Sequence, residues 1–147
     1  AILSHIKGPL KPKVIASETG QLLKIEQGAL TDLSGTGMHQ YGYVYVPESC
    51  TETDSTKACS VHVSFHGCNQ SIDNVNDQYA KNTGINDWAA SNKMVVLYPQ
   101  VKKSSLMPMN PQACWDWWGY TGENYANNKG PQMMAIDSMS DKISGNL

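Results

Sequence analysis

SVHVSFHGC, residues 60–68, is the stretch that decides the fold of this chain. Val61, Val63 and Phe65 alternate with polar residues, which predicts a strand over residues 60–66. Gly67 follows at once, and glycine permits a tight turn at the end of such a strand. A turn of this kind lets backbone N–H groups point into a cleft, although the same residues also fit an ordinary strand-to-loop connection.

A second dense block is CWDWW, residues 114–118. Tryptophans bury large apolar areas, so Trp115 and Trp118 are expected to belong to the core. Trp117 is the one expected to face a cleft, where it would suit an apolar or ring-bearing acyl group. Asp116 is expected to be a hydrogen-bonded structural carboxylate. Stacked tryptophans also bind carbohydrate, so this block alone does not distinguish an acyl ligand from a carbohydrate ligand.

Strand and helix patterns alternate around these two blocks. Residues 94–98 are a continuous apolar run, which fits a strand buried on both faces, as in a parallel sheet. The other predicted strands cover residues 21–27 and 40–46, the predicted helices cover 84–93 and 131–144, and residues 69–82 read as irregular. This order predicts an α/β fold with a mostly parallel sheet and flanking helices.

The amino-acid composition indicates which classes of binding partner are not expected. The chain has 147 residues and a net charge of −2, which gives no reason to expect nucleic acid or an anionic membrane. All eleven cationic side chains are lysines, which disfavours bidentate recognition of phosphate or carboxylate. No apolar run approaches the roughly 20 residues that span a bilayer. The opening residues look like the last turns of an amphipathic helix, which predicts that the chain is a piece of something longer.

The four cysteines predict disulfides and an oxidising compartment, either secreted or periplasmic. Three pairings are possible. The favoured one joins Cys50 to Cys59, which closes a short polar loop, and Cys68 to Cys114, which ties the two blocks together. Four buried free thiols in an intracellular protein are the alternative. No CxxC or paired Cys/His pattern occurs, so no zinc site and no cofactor is predicted.

A nucleophile is missing from the sequence. There is no G-x-S-x-G motif, and no serine can be grouped with a histidine and an aspartate into a triad. His66 is expected to contribute to the backbone geometry of the turn rather than to act as a catalytic base. His62 is expected to be a partly exposed strand residue.

Six blocks in order resemble a known family, the secreted poly(3-hydroxybutyrate) depolymerases and related feruloyl-type esterases. The resemblance covers roughly residues 21–144. The blocks are YVYVP (43–47), HGCNQS (66–71), NTGINDWA (82–89), MVVLYPQ (94–100), NPQACWDW (110–117) and GPQMMAI (130–136).

The resemblance implies an α/β-hydrolase domain of which this chain is only a part. In one circularly permuted branch the nucleophile, acid and histidine come first, and this chain looks like the C-terminal half that follows them. Residues 1–20 would then be the end of a helix plus a connecting segment, and residues 21–147 the C-terminal half of the domain. The catalytic Ser, Asp and His match nothing here.

Four residues take roles from the resemblance. Cys68 matches the oxyanion-hole residue, which acts through its backbone N–H and is disulfide-linked to the residue matching Cys114. Trp117 and Gln112 match positions in the substrate cleft. The expected function is therefore part of a secreted carboxylic-ester hydrolase that degrades polyhydroxyalkanoate, with the nucleophile-bearing half as its partner. The alternative is a non-catalytic secreted domain that binds polyester or carbohydrate.

Overall fold

The computed structural model describes residues 2–51 and 59–145. The helices are α1 (Ile2–Lys7), α2 (Ile72–Val75), α3 (Gln78–Asn82), α4 (Ile85–Ser91) and α5 (Pro131–Ser144). The strands are β1 (Gly20–Glu26), β2 (Tyr41–Pro47), β3 (Ser60–Val63) and β4 (Met94–Tyr98). No helix in the described ranges has the length and apolar content to cross a membrane.

The strands form one mixed sheet in the order β1-β2-β4-β3. The predicted α/β class is confirmed, but a mostly parallel sheet is not. Among the described strands only β3 and β4 pair in parallel, whereas β2 is antiparallel to both β1 and β4. A parallel pair needs a crossover connection, and within the described residues only the β3-to-β4 connection contains α-helices.

Two local predictions are wrong. The strand that was expected to reach His66 ends at Val63. After Ser64 donates its N–H to Leu97 O at 2.9 Å, the chain turns away from β4. The region 69–82, expected to be irregular, contains α2 and α3. These helices are too short to show a clear hydrophobic period.

Strand β4 carries the core on both of its faces. Val95 and Leu97 pack with Met139 of α5 in one apolar cluster, and Val96 packs with Ala89 of α4 in the other. Every residue of β4 is buried, as its uninterrupted apolar sequence predicted. The sheet is therefore covered by helices on both faces, and the two key sequence blocks lie beyond its strand ends.

A buried amide pair fixes the chain directly after β4. Gln27 and Gln100 are almost fully buried. The Gln27 side chain accepts from Gln100 N at 2.9 Å and donates to Gln100 O at 3.0 Å. The Gln100 side chain in turn accepts from Ile72 N, the first residue of α2, at 2.7 Å. Because α2 follows the turn at residues 66–70, this pair holds that turn against the end of β4.

Candidate active site

The turn after β3 is bonded covalently to the tryptophan block. Cys68 and Cys114 form a disulfide with a Cα–Cα distance of 4.4 Å, and Cys50 and Cys59 form the other. This is the pairing favoured from the sequence. The alternative of four free thiols is wrong, since no cysteine of the described residues is free.

Hydrogen bonds add to this connection on both sides of Cys68. The indole N–H of Trp115 donates to His66 O at 3.1 Å. On the other side, Asn69 N donates to Gln112 O at 2.7 Å. Gly67 N donates to the side chain of Gln70 at 2.8 Å, inside the turn itself. The backbone before and after Cys68 is therefore fixed.

The N–H of Cys68 differs from its neighbours. Gly67 N and Asn69 N have acceptors, whereas the described residues offer none to Cys68 N. Cys68 is exposed, and Asn69 adopts a left-handed conformation with φ of 60°, which asparagine tolerates better than most residues. The turn thus holds one backbone donor that has no acceptor among the described residues, and such a donor can bond an anionic oxygen.

His66 stabilises this turn as a neutral, buried ring. Its side chain is only 2% exposed. Val101 N donates to His66 Nε2 at 3.2 Å, so the ring proton lies on Nδ1, 2.8 Å from Gly67 O. Burial lowers the pKa of His66, against the opposing effect of the bond to Gly67. Because both ring nitrogens are occupied, His66 has the structural role that the sequence predicted.

One carboxylate organises the tryptophan loop. Asp116 accepts backbone N–H bonds from Trp118, Gly119, Tyr120 and Thr121 at 3.2, 2.6, 3.0 and 2.7 Å, and the Thr121 hydroxyl at 2.7 Å. Gly119 has φ of 90°, which favours glycine. Burial acts to raise the pKa of Asp116, but the bonds from Thr121, Gly119 and Tyr120 together hold it below its usual value. Asp116 is structural, as expected.

The three tryptophans of the loop have different environments. Trp115 is half-buried and packs edge-on against Phe65, with 5.0 Å between ring centroids. Trp117 is 72% exposed and Trp118 is 42% exposed. The expectation that Trp118 belongs to the core is wrong, because the chain folds around Asp116 and leaves both residues on the outside of the loop. Trp117, which was expected to face a cleft, lies largely exposed on the surface of the loop.

The structure brings most of the predicted site residues together. Trp117, Gln112 and Cys114 line one shallow depression of about 280 Å³, and the disulfide places Cys68 beside it. A larger apolar groove of about 550 Å³ runs along α5 past Trp115, lined also by Phe65, Met133 and Ile136. Sequence reasoning missed this groove, although Met133 and Ile136 have the spacing of a helix face. Within the described ranges no three His, Cys, Asp or Glu side chains converge as metal ligands.

A polar network beneath the loop was also missed. Tyr120 donates its hydroxyl to Cys114 O at 2.9 Å and accepts from Gln132 Nε2 at 2.7 Å. Asn110 bonds both the N–H and the C=O of Cys114, at 2.9 and 2.8 Å. Burial is the main reason that the pKa of Tyr120 rises to about 12, so its hydroxyl stays protonated as a donor. These residues fix the loop from α5 and from residues 104–110.

Comparison with known proteins identifies relatives along nearly the whole chain. The poly(3-hydroxybutyrate) depolymerase of Delftia acidovorans is 40% identical over 145 residues, 98% of this chain. The polyhydroxybutyrate depolymerase of Talaromyces funiculosus is 36% identical over 144 residues, 92% of this chain. The chain is a homologue of the polyhydroxybutyrate depolymerases. No family model matches it.

Solved structures agree with this relationship. The crystal structure of the PHB depolymerase from Penicillium funiculosum superposes with a TM-score of 0.88 at 34% identity, over 99% of this chain. The depolymerase resemblance predicted from the sequence is therefore confirmed. The chain spans only 28% of the Delftia depolymerase, 41% of the Talaromyces one and 47% of the solved Penicillium chain. More than half of each depolymerase thus lies outside the match.

Proposed function

We propose that this chain forms the oxyanion-binding and substrate-binding part of a secreted serine esterase that hydrolyses polyhydroxyalkanoate. One observation carries the proposal: the backbone N–H of the exposed residue Cys68 lacks an acceptor among the described residues, and a disulfide joins Cys68 to Cys114, which lines the same depression as Trp117. The homology to polyester depolymerases supports the reaction class. The two disulfides support an oxidising compartment, secreted or periplasmic.

The reaction would be acyl transfer to a serine that we place outside these 147 residues, because no serine here lies in a G-x-S-x-G motif. The histidine of the triad takes the proton of the serine hydroxyl as its oxygen attacks the ester carbonyl, and the carbonyl oxygen gains negative charge as the tetrahedral intermediate forms. Cys68 N–H would donate to that oxygen together with an N–H beside the nucleophile. Collapse of the intermediate breaks the ester C–O bond, the histidine returns the proton to the leaving alcohol, and water then hydrolyses the acyl-enzyme.

The remainder of the site would come from the portion of the depolymerases that the match leaves uncovered. We place the nucleophile, histidine and acid there, as the resemblance to the permuted branch implies. The division of this chain at residue 20 likewise stays a prediction. The partner is this nucleophile-bearing portion, in the same polypeptide or in a second chain.

Trp117 and Gln112 would form the wall for the acyl chain. Exposed aromatic surface next to the donor suits a polyester whose repeating unit is largely aliphatic. The Gln112 amide can donate to an ester carbonyl of a neighbouring unit. A solved PHB depolymerase with a TM-score of 0.87 to this chain is complexed with R3HB trimer, which supports this substrate class.

The test uses the full-length natural protein that contains these 147 residues. An organophosphonate ester is expected to label one serine outside residues 1–147, located by peptide mass, and to abolish hydrolysis of p-nitrophenyl butyrate and clearing of polyhydroxybutyrate granules. Labelling of a serine within residues 1–147 contradicts the assignment of the nucleophile. Absence of both labelling and hydrolysis contradicts the enzyme itself.

The exposed pair Trp117 and Trp118 favours a second candidate. Their rings lie 5.4 Å apart in an edge-to-face arrangement on the surface. Such a pair is also typical of a non-catalytic domain that binds polyester or carbohydrate. Granule sedimentation with no ester hydrolysis by the full-length protein would favour this candidate.

Replacing Trp117 by alanine tests the substrate wall. The change is expected to raise the half-saturating concentration of polyester or oligomer roughly 10-fold, because truncating an anchoring aromatic typically costs 1–2 kcal/mol or more. The melting temperature should change little, since Trp117 is 72% exposed. Trp117→Phe is the matched control and should remain within about 2-fold of the wild type, since a smaller aromatic keeps most of the contact. An unchanged half-saturating concentration in Trp117→Ala would contradict a role of Trp117 in binding.

Replacing Trp115 by phenylalanine tests whether this residue positions the donor. The variant keeps an aromatic ring but loses the N–H that bonds His66 O. We expect kcat to fall roughly 10-fold with KM unchanged, because a small displacement of an oxyanion donor acts on the transition state. The assay is run below the onset of unfolding of both proteins. A shift of KM alone, or of melting temperature alone, would assign Trp115 to packing.

A further inference from the structure

The seven methionines of the chain divide into a buried group and an exposed group. A thioether at the surface is open to oxidation by a hydroperoxide, whereas a thioether in the core is shielded from it. The buried methionines, none more than 3% exposed, are Met38, Met94 and Met139. The exposed ones are Met107, Met109, Met133 and Met134. The exposed group is therefore where a methionine can be modified without unfolding of the chain.

Met107 and Met109 belong to a short loop whose base is closed by backbone hydrogen bonds. Ser104 N donates to Asn110 O at 3.0 Å, and Asn110 N donates to Ser104 O at 2.8 Å. The side chain of Asn110 is buried and bonds both backbone groups of Cys114. Met107 is 92% exposed and Met109 is 64% exposed. Because the base of the loop is fixed by other groups, a change confined to either thioether leaves these bonds in place.

The two thioethers of this loop line different depressions. Met109 lines the 280 Å³ depression together with Gln112, Trp117 and Trp118. Met107 lines a separate groove of about 420 Å³. Among the described residues, Met109 is the one methionine in the depression that contains Trp117. Its thioether is therefore part of the wall that the proposed function assigns to the substrate.

Oxidation would change the chemistry of this wall. A hydroperoxide transfers one oxygen atom to the methionine sulfur, so that an S–O bond forms as the O–O bond breaks. The sulfur is oxidised, and the peroxide is reduced and leaves as water or an alcohol. The product sulfoxide is a polar hydrogen-bond acceptor in place of an apolar thioether. The interior units of a polyester contain no hydrogen-bond donor, so covering the sulfoxide with such a chain costs free energy.

We propose that Met109 is a site of reversible oxidation by hydroperoxides, and that its sulfoxide weakens the binding of polyester beside Trp117. The two disulfides agree with an oxidising compartment, where such an oxidant is encountered. The effect on the substrate rests on the proposed function. The selective oxidation of Met109 over the core methionines rests on exposure alone.

The test exposes the full-length natural protein to hydrogen peroxide and follows each methionine by peptide mass. Met107 and Met109 are expected to gain oxygen several-fold faster than the buried Met38, Met94 and Met139. The half-saturating concentration of a 3-hydroxybutyrate oligomer is expected to rise roughly 5-fold, because the sulfoxide disfavours apolar contact. The value of kcat should change little, since the oxyanion donor is untouched. Methionine sulfoxide reductase should restore the original half-saturating concentration.

Leucine replacements separate the two methionines of the loop. Leucine has nearly the volume of methionine and contains no sulfur to oxidise. The response is the ratio of the half-saturating concentrations of treated and untreated protein. Met109→Leu should lose this response, whereas Met107→Leu, on the same loop but outside that depression, should respond as the wild type does. A response that persists in Met109→Leu, or that disappears in Met107→Leu, overturns the inference.

The remaining outcomes distinguish this inference from the proposed function. Oxidation of Met109 no faster than that of the core methionines overturns the inference. Ester hydrolysis with the same half-saturating concentration after full oxidation of Met109 overturns it as well, while the proposed function stands. If the protein hydrolyses no ester, the proposed function fails, and sedimentation with polyhydroxybutyrate granules measures the response instead. Weaker sedimentation of the oxidised protein then supports the role of Met109, and unchanged sedimentation overturns it.

Discussion

Replacing Cys68 and Cys114 together by alanine is expected to lower kcat for a soluble ester by about 100-fold or more in the full-length protein, the effect of losing an oxyanion donor. The disulfide holds the backbone of Cys68 in place, and the N–H of Cys68 has no acceptor among the described residues. The bridged residues are 46 positions apart, so the free energy of unfolding should also fall by about 4 kcal/mol on a loop-entropy estimate. Steady-state kinetics and urea unfolding measure the two effects.

The other disulfide is the matched control. Its residues are 9 positions apart, so Cys50→Ala with Cys59→Ala should cost about 3 kcal/mol of stability without lowering kcat below the unfolding temperature. The single variant Cys68→Ser is expected to behave like the Cys68 and Cys114 double variant, because in the proposed function Cys68 acts through a backbone N–H that the bridge holds in place. Unchanged kcat in either Cys68 variant would show that the oxyanion assignment is wrong.

Asp116→Asn is expected to destabilise the protein by about 2–3 kcal/mol. The change removes the charge and replaces one carboxylate oxygen by an NH2 group. At least one of the five groups that donate to Asp116 then faces another donor instead of an acceptor. Activity on polyester should fall with it, because the same bonds fix the loop that carries Trp117. Asp137→Asn is the matched control. Asp137 is exposed and lines the same 550 Å³ groove along α5 as Asp116. Its replacement therefore removes a carboxylate charge from that groove without removing the hydrogen bonds of the loop.

The pH dependence gives a second, independent measurement for Asp116. Its pKa in the folded protein is lowered from the usual 3.8, so the folded state binds the proton less tightly than the unfolded chain does. The stability due to Asp116 is therefore fully present above the usual pKa and is lost as pH falls through the lowered value. The gap between wild type and Asp116→Asn should thus be constant near neutral pH and narrow in acid. A gap that widens in acid would contradict this assignment.

The parts of the fold that could be predicted are those with a strong local pattern. The continuous apolar run of β4 and the helix period of α5 specify their own burial, and both were placed correctly. The short helices α2 and α3 could not be found in this way, because they depend on distant contacts such as the bond from Ile72 N to Gln100. The antiparallel pairing of β2 with β4 depends in the same way on partners far apart in sequence.

The candidate active site also has features that the sequence predicted and features that depend on distant contacts. The pairing of Cys68 with Cys114 followed from the motifs that contain them. The exposure of Trp118 did not, because five donors converging on Asp116 decide which way the loop turns, and no sequence spacing encodes that convergence. Tyr120 and Gln132 were missed because their roles depend on a contact between a loop and a helix.

The Asp116 loop has a consequence for engineering. Four of its five bonds come from backbone N–H groups, which every residue except proline provides. The backbone conformation of this loop therefore does not depend on the side chains at positions 117 and 118. A combinatorial library at these two positions can therefore vary the exposed surface of the loop without removing the backbone bonds to Asp116.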